Sequence, residues 1–232
     1  MENKVENSRL NIFATMHLNT VIFDMDGLLI DSEPLWNEAA DEVFKRYNIQ
    51  ISSHQYASTT GMRVKEFVIW WFTHYNVPVS EAAAAEKSIC NLVIEKVQSK
   101  GKPMPGLEHI INFFAERKYK MGLASSSGMD LIEVVVDKLG LRQYLQSLCS
   151  AALLEHGKPH PQVYLNCAAA LQSDPTECIC FEDSFNGLIA AKAARMKCVA
   201  IPALHDSKDP RFSAADLRLS SLQNFNDLLL QT

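Results

Sequence analysis

Several things are missing from these 232 residues, and each absence excludes a class of protein. No Cys-x-x-Cys pair occurs, and Cys90, Cys149, Cys167, Cys178, Cys180 and Cys198 show no regular spacing. That excludes a disulfide framework and a zinc ribbon, and it favours a reducing, cytoplasmic setting. The seven histidines are scattered, and no H-E-x-x-H motif of a helical zinc site occurs. No uninterrupted apolar stretch approaches 18 residues, so no membrane span is expected. Residues 1–17 lack the apolar core of a signal peptide, and Met16 could serve as an alternative start. Positive charge is thin: 22 Lys and Arg stand against 27 Asp and Glu, for a net charge of -5. No cluster of basic residues makes a nucleic-acid footprint. The one basic run, Arg117-Lys118-Tyr119-Lys120, reads as a helix end, where cations complement the helix dipole.

What is present is a hydrophobic content of 47% and an alternation of apolar runs with amphipathic stretches. Strands are expected at 20–25, 120–125, 148–152, 178–182 and 198–202, with a short sixth near 217–219. Helices are expected between them at 107–117, 129–139, 161–171 and 186–195, and a last one at 222–230. Strands alternating with helices predict an α/β fold with a parallel sheet covered on both faces. Gly140 is placed to end the second helix and Pro161 to open the third. Residues 34–101 hold no convincing strand and three amphipathic stretches, at 35–47, 64–75 and 81–100. They read as an all-helical cap inserted after the first strand, hinged through residues 27–32 and Lys102-Pro103. The expected organisation is an N-terminal extension at 1–16, a core at 17–33 and 102–232, and a cap at 34–101.

The chemistry gathers at the carboxyl ends of the expected strands, where open parallel sheets bind their ligands. The first strand ends in Asp24-Met25-Asp26-Gly27. Two carboxylates that close raise each other's pKa unless a cation sits among them. The second ends in Ser125-Ser126-Ser127-Gly128, hydroxyls and amides leading into a helix, which suits a phosphate. Lys158 lies just ahead of another helix, and the fourth strand ends in Glu182-Asp183-Ser184. Each piece has a plainer reading: a capping loop, a solvated lysine, a helix cap at Asp183 or Ser184. Their order and shared location at strand ends point instead to a site for a metal and a phosphate.

Four motifs carry a resemblance: D-M-D-G-L-L-I-D-S-E at 24–33, L-A-S-S-S at 123–127, G-K-P-H-P at 157–161 and F-E-D-S at 181–184. Together they closely resemble the haloacid dehalogenase superfamily of aspartate-nucleophile phosphatases, from about Thr20 to the chain end. The chain looks like the branch with a small helical cap, which includes β-phosphoglucomutase and sugar-phosphate phosphatases. D-S-E-P-L-W at 31–36, K-P-H-P-Q-V-Y at 158–164 and D-P-R-F at 209–212 are similar to bacterial phosphatases of 2-deoxyglucose 6-phosphate and hexitol phosphates.

The resemblance implies a Rossmann-like core with Asp24 as nucleophile and Asp26 as general acid and base. It implies Mg²⁺ held by the Asp24 carboxylate, the Asp26 backbone carbonyl and Asp183, with Glu182 behind them. Ser125, Ser126 and Lys158 would bind the transferring phosphoryl group. In relatives a glycine-containing cap turn faces the carboxylates; here it is Thr60-Gly61-Met62-Arg63. Arg63 is expected to read substrate hydroxyls or a second anionic group, and Glu33 and Trp36 to line the opening opposite. The expected activity is Mg²⁺-dependent hydrolysis of hexose, 2-deoxyhexose or hexitol phosphates by a monomer, with neither nucleic acid nor membrane as partner. Thr60 stands where the mutase branch has a lysine, which favours hydrolysis over return of the phosphate to sugar. A β-phosphoglucomutase-like mutase and a phospho-aspartate signalling receiver remain as alternatives.

Overall fold

Short apolar runs bounded by turn residues form six parallel strands in the computed structural model, which describes residues 18–230. The expected extension at 1–16 lies outside the described residues. The strands are β1 Thr20–Phe23, β2 Lys120–Ser125, β3 Ser147–Ser150, β4 Cys178–Glu182, β5 Lys197–Ala200 and β6 Leu217–Arg218, in the order β3-β2-β1-β4-β5-β6. Successive side chains point to opposite faces, which splits the strands between two cores. Val21, Phe23, Phe181 and Val199 join the larger one, whereas Ile22, Cys180, Cys198 and Ala200 join the other. Burial on both faces is why these strands read as continuous apolar runs.

Two helices cover each face. With β1 already central, helices α5 (Leu107–Glu116) and α6 (Met129–Lys138) serve the first core. Helices α7 (Gln162–Ala170) and α8 (Phe185–Ala193) serve the second. Leu107, Ile110, Ile111 and Phe114 recur at helical spacing and seat α5 on the sheet. Phe114 meets the rings of Phe23, Phe181 and Phe225 at 6.1, 5.7 and 5.6 Å. After α5 the chain reverses through Lys118, at φ +57°, and Arg117 Nη1 donates to the Phe113 carbonyl at 2.8 Å. The basic run does close a helix. Gly140, at φ +67°, ends α6 with its amide on Asp137 O. The expected helix at 222–230 is broken. Leu222–Asn224 form a 3-10 turn, Phe225 turns extended, and α9 is only Asp227–Leu230. A continuous helix is given up so that Phe225 can pack among Phe113, Phe114 and Phe181.

Between β1 and α5 lie four helices: α1 Glu33–Phe44, α2 Ser53–Ala57, α3 Val64–His74 and α4 Ala82–Lys100. The short α2 was not expected. Its signal is a capping box, in which Ser52 accepts from the Gln55 amide and Gln55 reaches back to Ser52. Ala85, Ile89, Val93 and Val97 recur every fourth residue on α4 and bury one stripe against the group. Phe44 and Phe67 stack at 5.5 Å, and Phe72 is fully buried beside them. Trp71 is in this core, but Trp70 faces outward. The two connections to the sheet run side by side: Asp31 N donates to Lys102 O, and Met104 N to Leu29 O, both at 2.9 Å. Among the described residues no helix is long and apolar enough to cross a membrane, and all six cysteines are free thiols.

Candidate active site

From β1 the chain moves to β2 and β3 on one side, then crosses to β4, β5 and β6 on the other. The loops after β1, β2 and β4 therefore diverge around a crevice at the carboxyl edge, the place such sheets reserve for ligands. Asp24, Asp26, Ser125, Ser126, Lys158 and Asp183 line that crevice from the core side. Glu33, Trp36, Thr60, Gly61 and Met62 line it from the helical insertion. All but two of the expected site residues meet here. The exceptions are Arg63 and Glu182.

Glu182, fully buried, sits behind the crevice in an ion cluster. Lys158, 3% exposed, spends its ammonium on Asp24 Oδ1 at 2.5 Å, Glu182 Oε1 at 2.7 Å and Ala124 O at 3.0 Å. The Tyr164 hydroxyl also donates to Glu182 Oε1, and Ser184 contacts Oε2 through its amide and hydroxyl. Glu182 has no room for anything larger nearby, since a Cβ on Gly187 would fall 1.8 Å from Oε1. Its lone pairs are thus committed, and its task is to hold Lys158. Ser184 Oγ also accepts the Gly187 amide at 3.0 Å and caps α8, so the plainer reading of Ser184 holds as well.

Burial pushes the Asp24 carboxyl well above the ordinary carboxylate range. Lys158 pulls it down, but Glu182 and Asp26 push it further up. The pull of Lys158 does not outweigh burial. For Lys158 itself, burial opposes the charge, and Asp24 with Glu182 more than restores it. Asp183 is raised by burial and then by Asp24 and Glu182, and among the described residues no donor reaches its carboxylate. Asp24, Glu182 and Asp183 each place an oxygen within 4.8 Å of the others. Among the described residues Lys158 is the one basic side chain lining the crevice, against Asp24, Asp26, Glu33 and Asp183. Oxygen donors of this kind, under-compensated and partly unpartnered, fit a hard divalent cation. Asp24 and Asp183 have lone pairs to offer it, whereas Glu182 does not. Gly27, at φ +73°, lets the chain pass: a Cβ there would lie 2.1 Å from Asp183 Oδ2.

Asp26 is held by four side chains from two segments, 32–36 and 125–127. Ser32 Oγ and Trp36 Nε1 donate to Oδ1 at 2.6 and 2.9 Å, while Ser127 Oγ and Ser125 Oγ donate to Oδ2 at 2.7 and 3.4 Å. Neither Ser32 nor Ser127 was singled out in the sequence, although both lie inside quoted motifs. Tyr164 was missed as well, being a long-range partner of Glu182. Ser125 Oγ also accepts the Ser127 amide at 3.0 Å, which orients it. Glu33 lines the crevice without any hydrogen-bonding partner among the described residues; burial, then Asp26 and Asp31, push it up to about 7.

The cap turn meets the core at three loops. Ser126 Oγ donates to Gly61 O at 2.9 Å, and Asn186 Nδ2 donates to Thr60 O at 3.1 Å. Gly61, at φ +81°, brings the turn so close that a Cβ would lie 2.7 Å from Ser184 Oγ. The third contact corrects an expectation. Arg63 does not line the crevice. It is 8% exposed and turned into the loop at 151–157, donating through Nη1 to Ala151 O and Leu154 O and through Nη2 to Glu155 O. Glu66 pairs with the same guanidinium, and the side chain lies across Gly157. Nη1 and Nη2 find their acceptors there rather than in the open crevice, while Nε is buried without a partner among the described residues.

A family model described as haloacid dehalogenase-like hydrolase matches residues 21–201. Hexitol phosphatase B of Escherichia coli K12 is 42% identical over 204 residues, covering 87% of this chain and 91% of that protein. Fructose-1-phosphate phosphatase of the same organism is 29% identical over 184 residues, covering 78% and 95%. Among solved structures, β-phosphoglucomutase from Clostridium difficile superimposes with a TM-score of 0.80 at 22% identity, covering 90% of this chain and 93% of that one. At that identity the likeness concerns the fold.

Proposed function

The chain belongs to the haloacid dehalogenase-like hydrolases, and from that membership and the crevice we propose that it hydrolyses small phosphorylated sugars or polyols. The similarity to a hexitol phosphatase over most of both chains supports this substrate class. One observation carries the chemistry: Asp24, Asp26, Ser125, Lys158 and Asp183 converge from four loops on one crevice.

In this reading Asp24 attacks phosphorus in line and becomes an aspartyl-phosphate, splitting one displacement into two. Asp26, fixed by Ser32, Trp36 and Ser127, gives a proton to the leaving alkoxide. It then takes one from the water that releases phosphate. Ser125, the Ser126 amide and Lys158 hold the phosphoryl oxygens. The Ser126 hydroxyl is already occupied by the cap, which leaves its amide for this task. Asp24, Asp183 and the Asp26 carbonyl would hold Mg²⁺. Bound there, the ion offsets the repulsion between anionic nucleophile and anionic ester and keeps Asp24 ionised.

Hydrolysis is favoured over mutase chemistry by charge. Thr60 occupies the cap turn, and among the described residues no basic side chain lines the cap half of the crevice to offset a second phosphate. Free cysteines throughout accord with a reducing cytoplasm. The test is phosphate release with Mg²⁺ from hexose, deoxyhexose and hexitol phosphates, alongside Asp24→Asn. Turnover abolished by the substitution and by chelator is the expected result. A folded, metal-loaded protein that releases phosphate from none of them would overturn the reading.

A further inference from the structure

Glu33 and Asn37 stand four residues apart on α1, on one face and about 6 Å apart along the axis. Both line the crevice. Glu33 lies at its metal end: its Cγ is 3.5 Å from the point a Cβ on Gly27 would occupy, hard against Asp183. Asn37 is one turn further from the phosphate, and Ala40 closes the next turn.

The polar side chains around this pair are already engaged within the protein. Trp36 donates to Asp26, Tyr56 to Asp41, and Thr59 to the Tyr56 carbonyl. Among the described residues the Glu33 carboxyl and the Asn37 amide have no hydrogen-bonding partner, and neither is sealed from the crevice. Their surroundings are apolar, with Ala40, Phe67 and Ile89 on the same wall. Polar groups left open in such a wall lose water when a ligand fills the crevice, and they need that ligand to replace it.

We propose that Glu33 and Asn37 form a subsite that reads hydroxyl groups on the carbon chain of the substrate. The proposal rests on the phosphatase reading above and narrows it. A carboxylate accepts hydrogen bonds and an amide both donates and accepts, which suits successive hydroxyls of a polyol. Among the described residues no basic side chain lines the crevice beside this pair, which suits a neutral group: a polyhydroxylated chain rather than a second phosphate or a carboxylate. The pair lies beside the phosphate site and spans one helical turn, so it addresses hydroxyls on the carbons nearest the ester.

The test compares kcat/KM for a hexitol phosphate with kcat/KM for an aryl phosphate that carries no hydroxyl. The expected result is a hexitol-to-aryl ratio lowered at least about tenfold in Asn37→Leu and in Glu33→Gln, with Asn37→Asp in between. The fall should be in KM more than in kcat. A ratio unchanged in both Asn37→Leu and Glu33→Gln, with melting curves showing folded protein, would overturn the subsite. So would parallel losses on the two esters, the mark of a merely structural role. If the wild-type protein hydrolyses neither ester, the phosphatase reading fails first, and that outcome is distinct from failure of the subsite alone.

Discussion

Arg63→Ala should weaken substrate capture without removing the chemistry. The guanidinium crosses from the cap turn into the core loop at 151–157, where it donates to three backbone carbonyls and pairs with Glu66. Hydrogen bonds from a charged donor contribute about 1.5–3 kcal/mol each. The contacts to Ala151 O and Glu155 O, at 3.3 and 3.4 Å, are long. One full bond and two weak ones, with partial hydration after substitution, give about 2–3 kcal/mol in favour of the closed cap. At 1.4 kcal/mol per tenfold change, kcat/KM should fall about 30- to 150-fold. The loss should appear mainly in KM, because Asp24, Asp26 and Lys158 are untouched. Arg63→Lys keeps the charge but loses the planar fork, and should recover only part. Steady-state kinetics on one sugar phosphate, with a melting curve for each variant, is the assay. A kcat/KM within threefold of wild type would refute the reasoning that these Arg63 contacts hold the cap against the core. A loss seen on a hexitol phosphate but not on an aryl phosphate that carries no hydroxyl would instead return Arg63 to the substrate, where the sequence alone had placed it.

Lys158→Met should cost both activity and stability. It leaves Asp24 and Glu182 buried without their partner, a loss of about 3–5 kcal/mol. For a chain of this length the melting temperature should drop by about 6–20 °C, and an unchanged melt would contradict the ion-cluster account. Mg²⁺ should raise the melting temperature of the wild-type protein, and the rise should grow from pH 5 to pH 8. The sign follows from Asp24 and Asp183, which burial raises well above the ordinary carboxylate range. Their protonation favours the metal-free fold at low pH, and that contribution is lost as pH rises through the raised values. The ion competes with those protons, so it stabilises more where they have left. A metal effect that is flat with pH, or absent, would argue against these two carboxylates as its ligands.

The parts of this site that were legible in the sequence share one property: their chemistry is local to a strand end. Asp24 and Asp26 follow an apolar run, Ser125 ends another, and Asp183 follows a third, so hydrophobic periodicity alone places them at one edge. The parts that were not legible depend on which loops become neighbours. Nothing near Arg63 announces that the carbonyls of Ala151, Leu154 and Glu155 will lie within reach, 88 to 92 positions along the chain. Ser127 reaches Asp26 across 101 positions, and Tyr164 finds Glu182 across 18. The same limit explains the broken helix at 222–230. Its local pattern is helical, but Phe225 gains more from three aromatic neighbours than a further helical turn supplies. The short α2 is the reverse case, since its capping box was readable and simply weak beside the longer amphipathic stretches.

Charge separates the two halves of the crevice, and that separation bears on how the enzyme can change its substrate. On the core side one lysine faces Asp24, Asp26 and Asp183, each tied to the others through shared donors or mutual repulsion. A substitution there alters the charge felt by every neighbour, so the group behaves as a unit. On the cap side the side chains of Glu33 and Asn37 have no hydrogen-bonding partner among the described residues, and Ala40, Phe67 and Ile89 line the crevice with them. Changing Asn37 breaks no hydrogen bond among the described residues, and changing Glu33 removes a charge that Asp183 feels less than burial, Asp24 and Glu182. New specificities should therefore arise by substitution on α1 and the cap turn, while the core loops stay fixed. Selection for hydrolysis of a monoester with fewer hydroxyls should enrich apolar residues at position 37. Recovery of such variants with changes at Ser125, Ser127 or Glu182 instead would show that recognition and chemistry share residues after all.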